Sequence, residues 1–172
     1  MRTLFRFLFV ACALALAACS TTPVDTKPAS VTFVVVRHAE KATDDPRDPS
    51  LSDAGLARAS ALAALLQARD VVAAYATAFR RTQATALPTA KAHRIDVTSY
   101  DAAEPATAFA ARLRHDHAAG TVLVVGHSNT VPGIVSALCA CEVAPIDDSD
   151  YGNLYEVRIS GDAAPALSQR RY

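Results

Sequence analysis

The chain has 172 residues, about half of them apolar, and its 17 basic residues balance 17 acidic ones. This length and apolar fraction fit a single globular domain with a sizeable core. The balanced charge provides no basic field that would hold a nucleic-acid backbone, so no nucleic-acid partner is expected.

The N-terminus has the layout of a secretory signal. Two arginines precede an apolar stretch over residues 7–18, which is too short for a helical membrane span of ~20 residues. The stretch ends in Leu16-Ala17-Ala18-Cys19, which resembles the lipobox of bacterial lipoproteins, and Ser20 resembles a signal for outer-membrane sorting. We therefore expect residues 1–19 to be a lipoprotein signal and Cys19 to carry the lipid.

This signal predicts an exported protein, held at the outer membrane by lipid alone and facing the periplasm. The alternative is an ordinary cleaved signal and a soluble periplasmic protein, because Ala15-Leu16-Ala17 also satisfies the small-x-small cleavage rule. Residues 20–30 are rich in Thr, Pro, Ala and Ser and predict a flexible tether. The folded domain is expected over residues 31–172.

Within that domain, strand and helix patterns alternate. Short apolar runs predict strands at 31–36, 71–76, 94–98, 121–126 and 153–159. Helical patterns lie between them, at a segment ending near residue 69, at 80–92, at 105–118 and from residue 130 onward. This order predicts an α/β three-layer sandwich with a largely parallel central sheet and helices on both faces.

The first predicted helix contains an apolar stripe. Its cap is expected at Ser52 or Asp53, and the leucines that recur at spacings near three and four are expected to form one buried face. These leucines are Leu56, Leu62, Leu65 and Leu66.

Histidine and arginine side chains follow the predicted strands directly. Arg37 and His38 follow the first strand, and His127 follows the strand at 121–126. Arg80 and Arg81 open the helix after the second strand, and adjacent helical residues diverge, so only one of the two is expected to face the same point. Ligands of open α/β sheets bind at the carboxyl ends of strands, and helix N-termini favour anions, so an anion site is predicted here.

These segments resemble, in the same order, the motifs of the histidine phosphatase (phosphoglycerate mutase-like) superfamily. Arg37-His38-Ala39-Glu40 is similar to its first histidine motif, with Ala39 in place of the usual glycine. The stretch at 51–59 is similar to the opening of its first helix, Arg80-Arg81-Thr82 to its second arginine motif, and Gly126-His127-Ser128 to its second histidine motif.

The resemblance implies that His38 is the nucleophile and that Arg37, Arg81 and His127 bind phosphate. A phosphohistidine would form on His38 and be hydrolysed by water, with no cofactor and no metal. An imidazole attacks phosphorus only when it is unprotonated, and nearby arginines favour that form.

The proton donor is the point at which the sequence departs from the family. The histidine acid phosphatase branch carries an aspartate directly after its second histidine, where this chain has Ser128, so branch 1 is favoured. That branch places a glutamate between the second arginine and the second histidine, and Glu104 is the preferred candidate for a catalytic acid. Asp101, Glu40 and water remain alternatives, and Glu104 is equally well explained as an acid in the first turn of a helix.

Two further segments are predicted to have no role in catalysis. Residues 147–150 are acidic and predict a solvated turn, although an acidic loop that selects the substrate is the alternative. Cys139 and Cys141 are expected to be buried and unbonded, because a bridge two residues apart within a helix has unfavourable geometry.

The predicted function is a phosphomonoester hydrolase that acts outside the cytoplasm on a small phosphorylated substrate or on a phosphate group of the cell envelope. One alternative is a catalytically weak lipoprotein that binds a phosphorylated ligand. Another is a phosphatase of phosphohistidine in proteins.

Overall fold

The computed structural model describes residues 29–172. The predicted signal at 1–19, the lipidated Cys19 and nearly all of the tether lie outside this range. The described chain forms, in order, β1 (Ser30–Arg37), α1 (Asp53–Leu66), β2 (Val71–Thr77), α2 (Arg80–His93), β3 (Val97–Tyr100), α3 (Ala106–Asp116), β4 (Gly120–Gly126), α4 (Val131–Cys139), β5 (Asn153–Ser160) and β6 (Ala166–Arg171).

The six strands form one sheet in the order β3-β2-β4-β1-β5-β6. The first four of these strands are mutually parallel, whereas β5 runs antiparallel to β1, and β6 antiparallel to β5. In parallel strands the carboxyl ends meet at the same edge, so β1, β2 and β4 deliver their following residues to one place.

Helices cover both faces of the sheet. Successive β-strand side chains point to opposite faces, so Phe33 and Val35 of β1 pack with α3 and α4, while Val34 and Val36 pack with α1 and α2. All four side chains are fully buried, as the uninterrupted apolar run predicts. The predicted three-layer α/β fold is confirmed.

The first helix begins as predicted but buries a different stripe. The Ser52 hydroxyl accepts a hydrogen bond from the Gly55 amide at 3.2 Å and caps α1, which ends at Leu66 rather than near residue 69. The prediction that Leu56 is buried is wrong, because its side chain is 51% exposed. The buried residues are Gly55, Ala59, Leu62 and Leu66, so small residues bring the first turns close to the β1–α1 loop.

The prediction of unbonded cysteines at 139 and 141 is also wrong. Helix α4 ends at Cys139, and Ala140 takes a left-handed conformation with φ of 54°. This turn brings the Cα atoms of Cys139 and Cys141 to 5.2 Å, and their sulfurs are bonded. The expected obstacle was a bridge inside a helix, whereas Cys141 lies beyond its end.

Two edges of the sheet differ from prediction. Strand β3 starts at Val97, three residues later than predicted, because Arg94 adopts a left-handed conformation that caps α2. Strand β6 was not predicted; all six of its residues are exposed, so no apolar alternation marks it. Among residues 29–172, no helix has the length and apolar character needed to cross a membrane.

Candidate active site

The predicted histidines and arginines meet at the carboxyl edge of the sheet. Arg37 is paired in register with Gly126 of the neighbouring strand, and the His38 amide donates to the Gly126 carbonyl at 2.9 Å. The His38 and His127 rings consequently lie edge to face, with their centroids 5.4 Å apart. Adjacent parallel strands thus explain why two residues 89 positions apart in sequence face each other.

His38 is held in one tautomer. Its Nδ1 lies 2.8 Å from the carbonyl oxygen of Ala39, which can only accept, so Nδ1 carries the proton and Nε2 retains the lone pair. Burial, with the charges of His127, Arg37 and Arg81, outweighs the hydrogen bond to Ala39 and lowers the pKa of His38 from 6.5 to about 3. The buried ring is therefore neutral around pH 7 and has a free Nε2.

His127 is also buried and takes part in a chain of hydrogen bonds. Arg81 Nη2, which can only donate, lies 3.5 Å from His127 Nδ1, and His127 Nε2 lies 3.0 Å from the Thr77 hydroxyl. The Thr77 hydroxyl contacts that of Thr82 at 2.8 Å, and the latter donates to the Phe79 carbonyl at 2.8 Å. This order places the ring proton on Nε2 and leaves Nδ1 as the acceptor.

The electrostatics of His127 follow from the same surroundings. Burial, followed by the charges of Arg81 and Arg37, lowers its pKa from 6.5 to about 4. An anion bound between the two guanidinium groups would offset these charges and favour a proton on the Nδ1 side.

Arg37 is fixed by the loop that precedes β5. Its side chain is 3% exposed, and Nη1 donates to the carbonyls of Asp147, Asp148 and Asp150 at 3.0, 2.9 and 3.1 Å. The guanidinium also lies 4.1 Å from the centroid of the Tyr151 ring, a cation–π contact. With Nη1 satisfied by the backbone, the remaining donors of Arg37 are left for a ligand.

Arg81 comes from the first turn of α2. The N-terminus of this helix is capped from outside by Asp48, whose Oδ1 accepts from the Arg80 amide at 3.0 Å and lies 3.5 Å from Arg81 Nη1. The Arg81 guanidinium packs 4.4 Å from the Phe79 ring centroid. Arg80 points away, is exposed and forms an ion pair with Asp44 at 3.5 Å.

Between these groups lies an open cleft of about 360 Å³. Its lining includes Arg37, His38, Arg81 and His127, together with Lys41, Phe79, Ser128 and Asp148. Arg37 Nε and Arg81 Nε and Nη1 are buried, yet none has a hydrogen-bond partner among the described residues. A buried cationic donor without a partner is costly, and an anion with several oxygens would satisfy all three.

The structure does not bring the predicted acid into the cleft. Glu104 lies in a neighbouring cavity and accepts from Arg112 at 2.7 Å. Glu40 is bound by the Arg58 guanidinium through contacts of 2.7–3.0 Å, which hold the pKa of its carboxyl below the ordinary value. The Asp101 carboxylate accepts from the Ala103 amide and does not line the cleft.

Several residues of the site were not identified from the sequence. Phe79 and Tyr151 support the two arginines through their rings, and Lys41 and Asp148 line the cleft. Lys41 and Phe79 lie within four residues of a predicted site residue, so proximity in sequence was a usable signal. Asp148 belongs to the acidic segment for which a loop that selects the substrate is the alternative prediction. Tyr151 carries no signal, because a loop brings this region back from about 110 residues away.

Comparison with known protein families finds one match to part of the chain. Residues 33–104 match the model of the histidine phosphatase superfamily, branch 1. No curated protein sequence matches the chain.

Solved structures share the fold. The protein histidine phosphatase SixA, in complex with tungstate, superposes with a TM-score of 0.68 at 18% identity over 81% of this chain and 96% of its own. A mycobacterial glucosyl-3-phosphoglycerate phosphatase superposes with a TM-score of 0.64 at 13% identity, over 83% of this chain and 98% of its own. The phosphoglycerate mutase of Bacillus anthracis superposes with a TM-score of 0.61 at 14% identity, over 84% of this chain and 94% of its own.

At these identities the solved structures establish the fold alone, and the case for the chemistry comes from the family match and the geometry. Both histidines and both arginines of the resemblance line one cleft, and both arginines carry buried nitrogens without a hydrogen-bond partner among the described residues. The partial match, over residues 33–104, to the histidine phosphatase model and the geometry of this site together support a phosphatase.

Proposed function

We propose that the chain is a phosphomonoester hydrolase that works through a phosphohistidine on His38 and acts outside the cytoplasm. One observation carries the chemistry: a neutral imidazole with a free Nε2 lies in a cleft lined by two arginines, and three of their buried nitrogens have no hydrogen-bond partner among the described residues. Such a site accommodates a tetrahedral oxyanion and holds a nucleophile beside it.

Each group has a definite part in the reaction. Arg37 and Arg81 bind the nonbridging phosphoryl oxygens and stabilise the charge that spreads over them in the transition state. The lone pair of His38 Nε2 attacks phosphorus in line with the leaving oxygen. The bound anion favours a proton on Nδ1 of His127, which then donates to the same phosphoryl group, because Nε2 is engaged by Thr77. Water then hydrolyses the phosphohistidine and frees Nε2.

The test compares the wild-type protein with His38→Ala on p-nitrophenyl phosphate. We expect the substitution to lower kcat/KM by roughly 10³-fold or more, because it removes the nucleophile. Rapid acid-free quenching with a ³²P-labelled substrate should trap an acid-labile phosphoenzyme in the wild type and none in the variant. His115→Ala, which removes an exposed histidine, is the matched control and should match the wild type.

Equal rates in the wild type and His38→Ala would reject the proposed function. If both rates equal the uncatalysed background, a lipoprotein that only binds a phosphorylated ligand is left. A full loss of activity with the phosphoenzyme still present would place the nucleophile elsewhere.

A phosphohistidine in another protein is the second candidate substrate. The structure of the protein histidine phosphatase SixA is covered by this fold over 96% of its length, so the two chains share a minimal architecture. Comparing kcat/KM for a phosphohistidine peptide and for stable phosphate esters distinguishes the two substrate classes.

The proposed location rests on the leader and the tether of the sequence. The bond between Cys139 and Cys141 is consistent with it, because disulfides persist mainly in oxidising compartments. Envelope phosphate groups and small phosphate esters are both accessible substrates there.

A further inference from the structure

The site as described lacks a group that gives a proton to the leaving oxygen. Expulsion of an alkoxide from phosphorus is slow unless it is protonated as it departs. The three carboxylates singled out from the sequence all lie outside the cleft. Among the described carboxylates, Asp148 alone belongs to the lining of the cleft.

The backbone of Asp148 is tied directly to a phosphate-binding group. Its carbonyl accepts from Arg37 Nη1 at 2.9 Å, flanked by the same contact from Asp147 and Asp150. Arg37 thus positions this loop through Nη1, while its unpartnered Nε is available to the phosphoryl group. The position of Asp148 relative to a bound phosphoryl group is therefore fixed through one guanidinium.

The carboxylate of Asp148 is directed as well. The Ser128 hydroxyl donates to its Oδ1 at 2.8 Å, and Arg37 Nη2 lies 3.7 Å from the same oxygen. Its neighbours are used elsewhere: Asp147 accepts from the Ser149 amide, and Asp150 from Gly152 and Asn153. Only Asp148 of this acidic loop presents a carboxylate to the cleft.

The exposure of this carboxylate fits the side on which the leaving group departs. The Asp148 side chain is 91% exposed, whereas His38, which lines the same cleft, is buried. In-line displacement requires the leaving group to depart away from His38 Nε2, which is toward the open mouth.

We propose that Asp148, held by Ser128 and by the contact of its backbone with Arg37, is the proton donor to the leaving group. This inference rests on the proposed function. As the bond from Nε2 to phosphorus forms, the bond to the leaving oxygen breaks, and the Asp148 carboxyl protonates that oxygen to release the alcohol. In the second step the Asp148 carboxylate takes a proton from water, whose oxygen attacks phosphorus, and the electron pair of the N–P bond returns to Nε2. Inorganic phosphate leaves, and both residues are restored.

The experiment measures kcat/KM across phosphate monoesters of increasingly poor leaving groups: 2,4-dinitrophenyl, p-nitrophenyl, phenyl and glycerol phosphate. A leaving group that is a weak base needs no proton, whereas an alkoxide does. We expect Asp148→Asn to lower kcat/KM for glycerol phosphate by about 100-fold or more and for the dinitrophenyl ester by less than about threefold. The asparagine retains the shape and an acceptor for Ser128.

Three matched variants accompany it. Asp162→Asn removes one charge from an exposed residue outside the site and should leave the whole series unchanged. Ser128→Ala removes only the hydrogen bond that directs Asp148 and should give a weaker loss with the same dependence on the leaving group. For Glu104→Gln, the ratio of kcat/KM to that of the wild type should be the same for all four esters. A thermal melt confirms that each variant is folded.

An equal fall of Asp148→Asn across all four esters would make Asp148 an electrostatic or structural residue and overturn the inference. So would an unchanged series, or a dependence on the leaving group that appears in Glu104→Gln instead. Equal rates in wild type and His38→Ala would overturn the proposed function first, and this inference with it, so the two failures are distinguishable.

Discussion

At the scale of single residues, burial keeps the imidazoles of His38 and His127 neutral around pH 7. The pKa of His38 is 6.5 in the unfolded chain and about 3 in the folded protein. Between pH 3 and pH 6.5 the unfolded chain therefore binds a proton that the native state does not bind. The stabilising contribution of the neutral ring is thus complete above pH 6.5 and is lost progressively as the pH falls toward 3.

This linkage gives a testable pH dependence. Urea unfolding at pH 7 and pH 4.5 should show a fall in the free energy of unfolding that is smaller in His38→Asn by roughly 2–3 kcal/mol. His115→Asn, which alters an exposed ring, should follow the wild type. An identical fall in His38→Asn would mean that His38 is not held neutral by burial.

Three of the residues that line the cleft could be predicted from the sequence, whereas Asp148 could not. His38, Arg37 and His127 directly follow buried apolar strands, and parallel strands bring such positions to one edge, so their meeting was predictable. For Asp148 the sequence predicts a solvated turn, with a loop that selects the substrate as the alternative. Its place in the cleft depends on three backbone carbonyls that bind Arg37, and no periodicity or motif encodes that contact.

At the scale of elements, periodicity predicted the alternation of strands and helices better than their packing. In α1 the leucines suggested the buried face, yet Gly55 and Ala59 lie on it and Leu56 does not. Small residues such as Gly55 add little to a hydropathy pattern, but here they permit close approach to the backbone of the β1–α1 loop.

Strand β6 could not be predicted from hydropathy, because both of its faces are exposed.

The close approach at Gly55 predicts an asymmetry between two helical glycines. A Cβ at Gly55 would lie 2.3 Å from the carbonyl oxygen of Glu40, a backbone atom, whereas one at Gly133 would lie 3.3 Å from the Ala106 Cβ. Gly55→Ala should therefore lower the free energy of unfolding by roughly 2 kcal/mol or more, despite the better helix propensity of alanine.

Gly133→Ala is the matched control, and its free energy of unfolding should stay within about 1 kcal/mol of the wild type, because the gain in propensity offsets a small adjustment. Denaturant titration measures both. Equal effects of the two substitutions would show that α1 is free to move away from the loop that follows His38.

At the scale of the whole molecule, the location of the protein determines which substrates it meets. The described domain begins its first strand at Ser30, only eleven residues after Cys19. A lipid on Cys19 would keep the cleft close to a membrane surface, within reach of phosphate groups of the envelope. An ordinary signal would release the same domain to act on soluble esters.

Expression of the full chain with its leader in a bacterial host separates these two arrangements. If Cys19 is lipidated, the wild-type protein partitions into the detergent phase, and its N-terminal peptide begins at Cys19 with the mass of a diacylated or triacylated cysteine. Cys19→Ala removes the acceptor but leaves Ala15-Leu16-Ala17 as a cleavage site, so the variant should appear in the soluble periplasmic fraction. Wild-type protein in the aqueous phase, processed after Ala17, would establish the soluble periplasmic form, and protein that keeps its leader in the cytoplasm would reject export altogether.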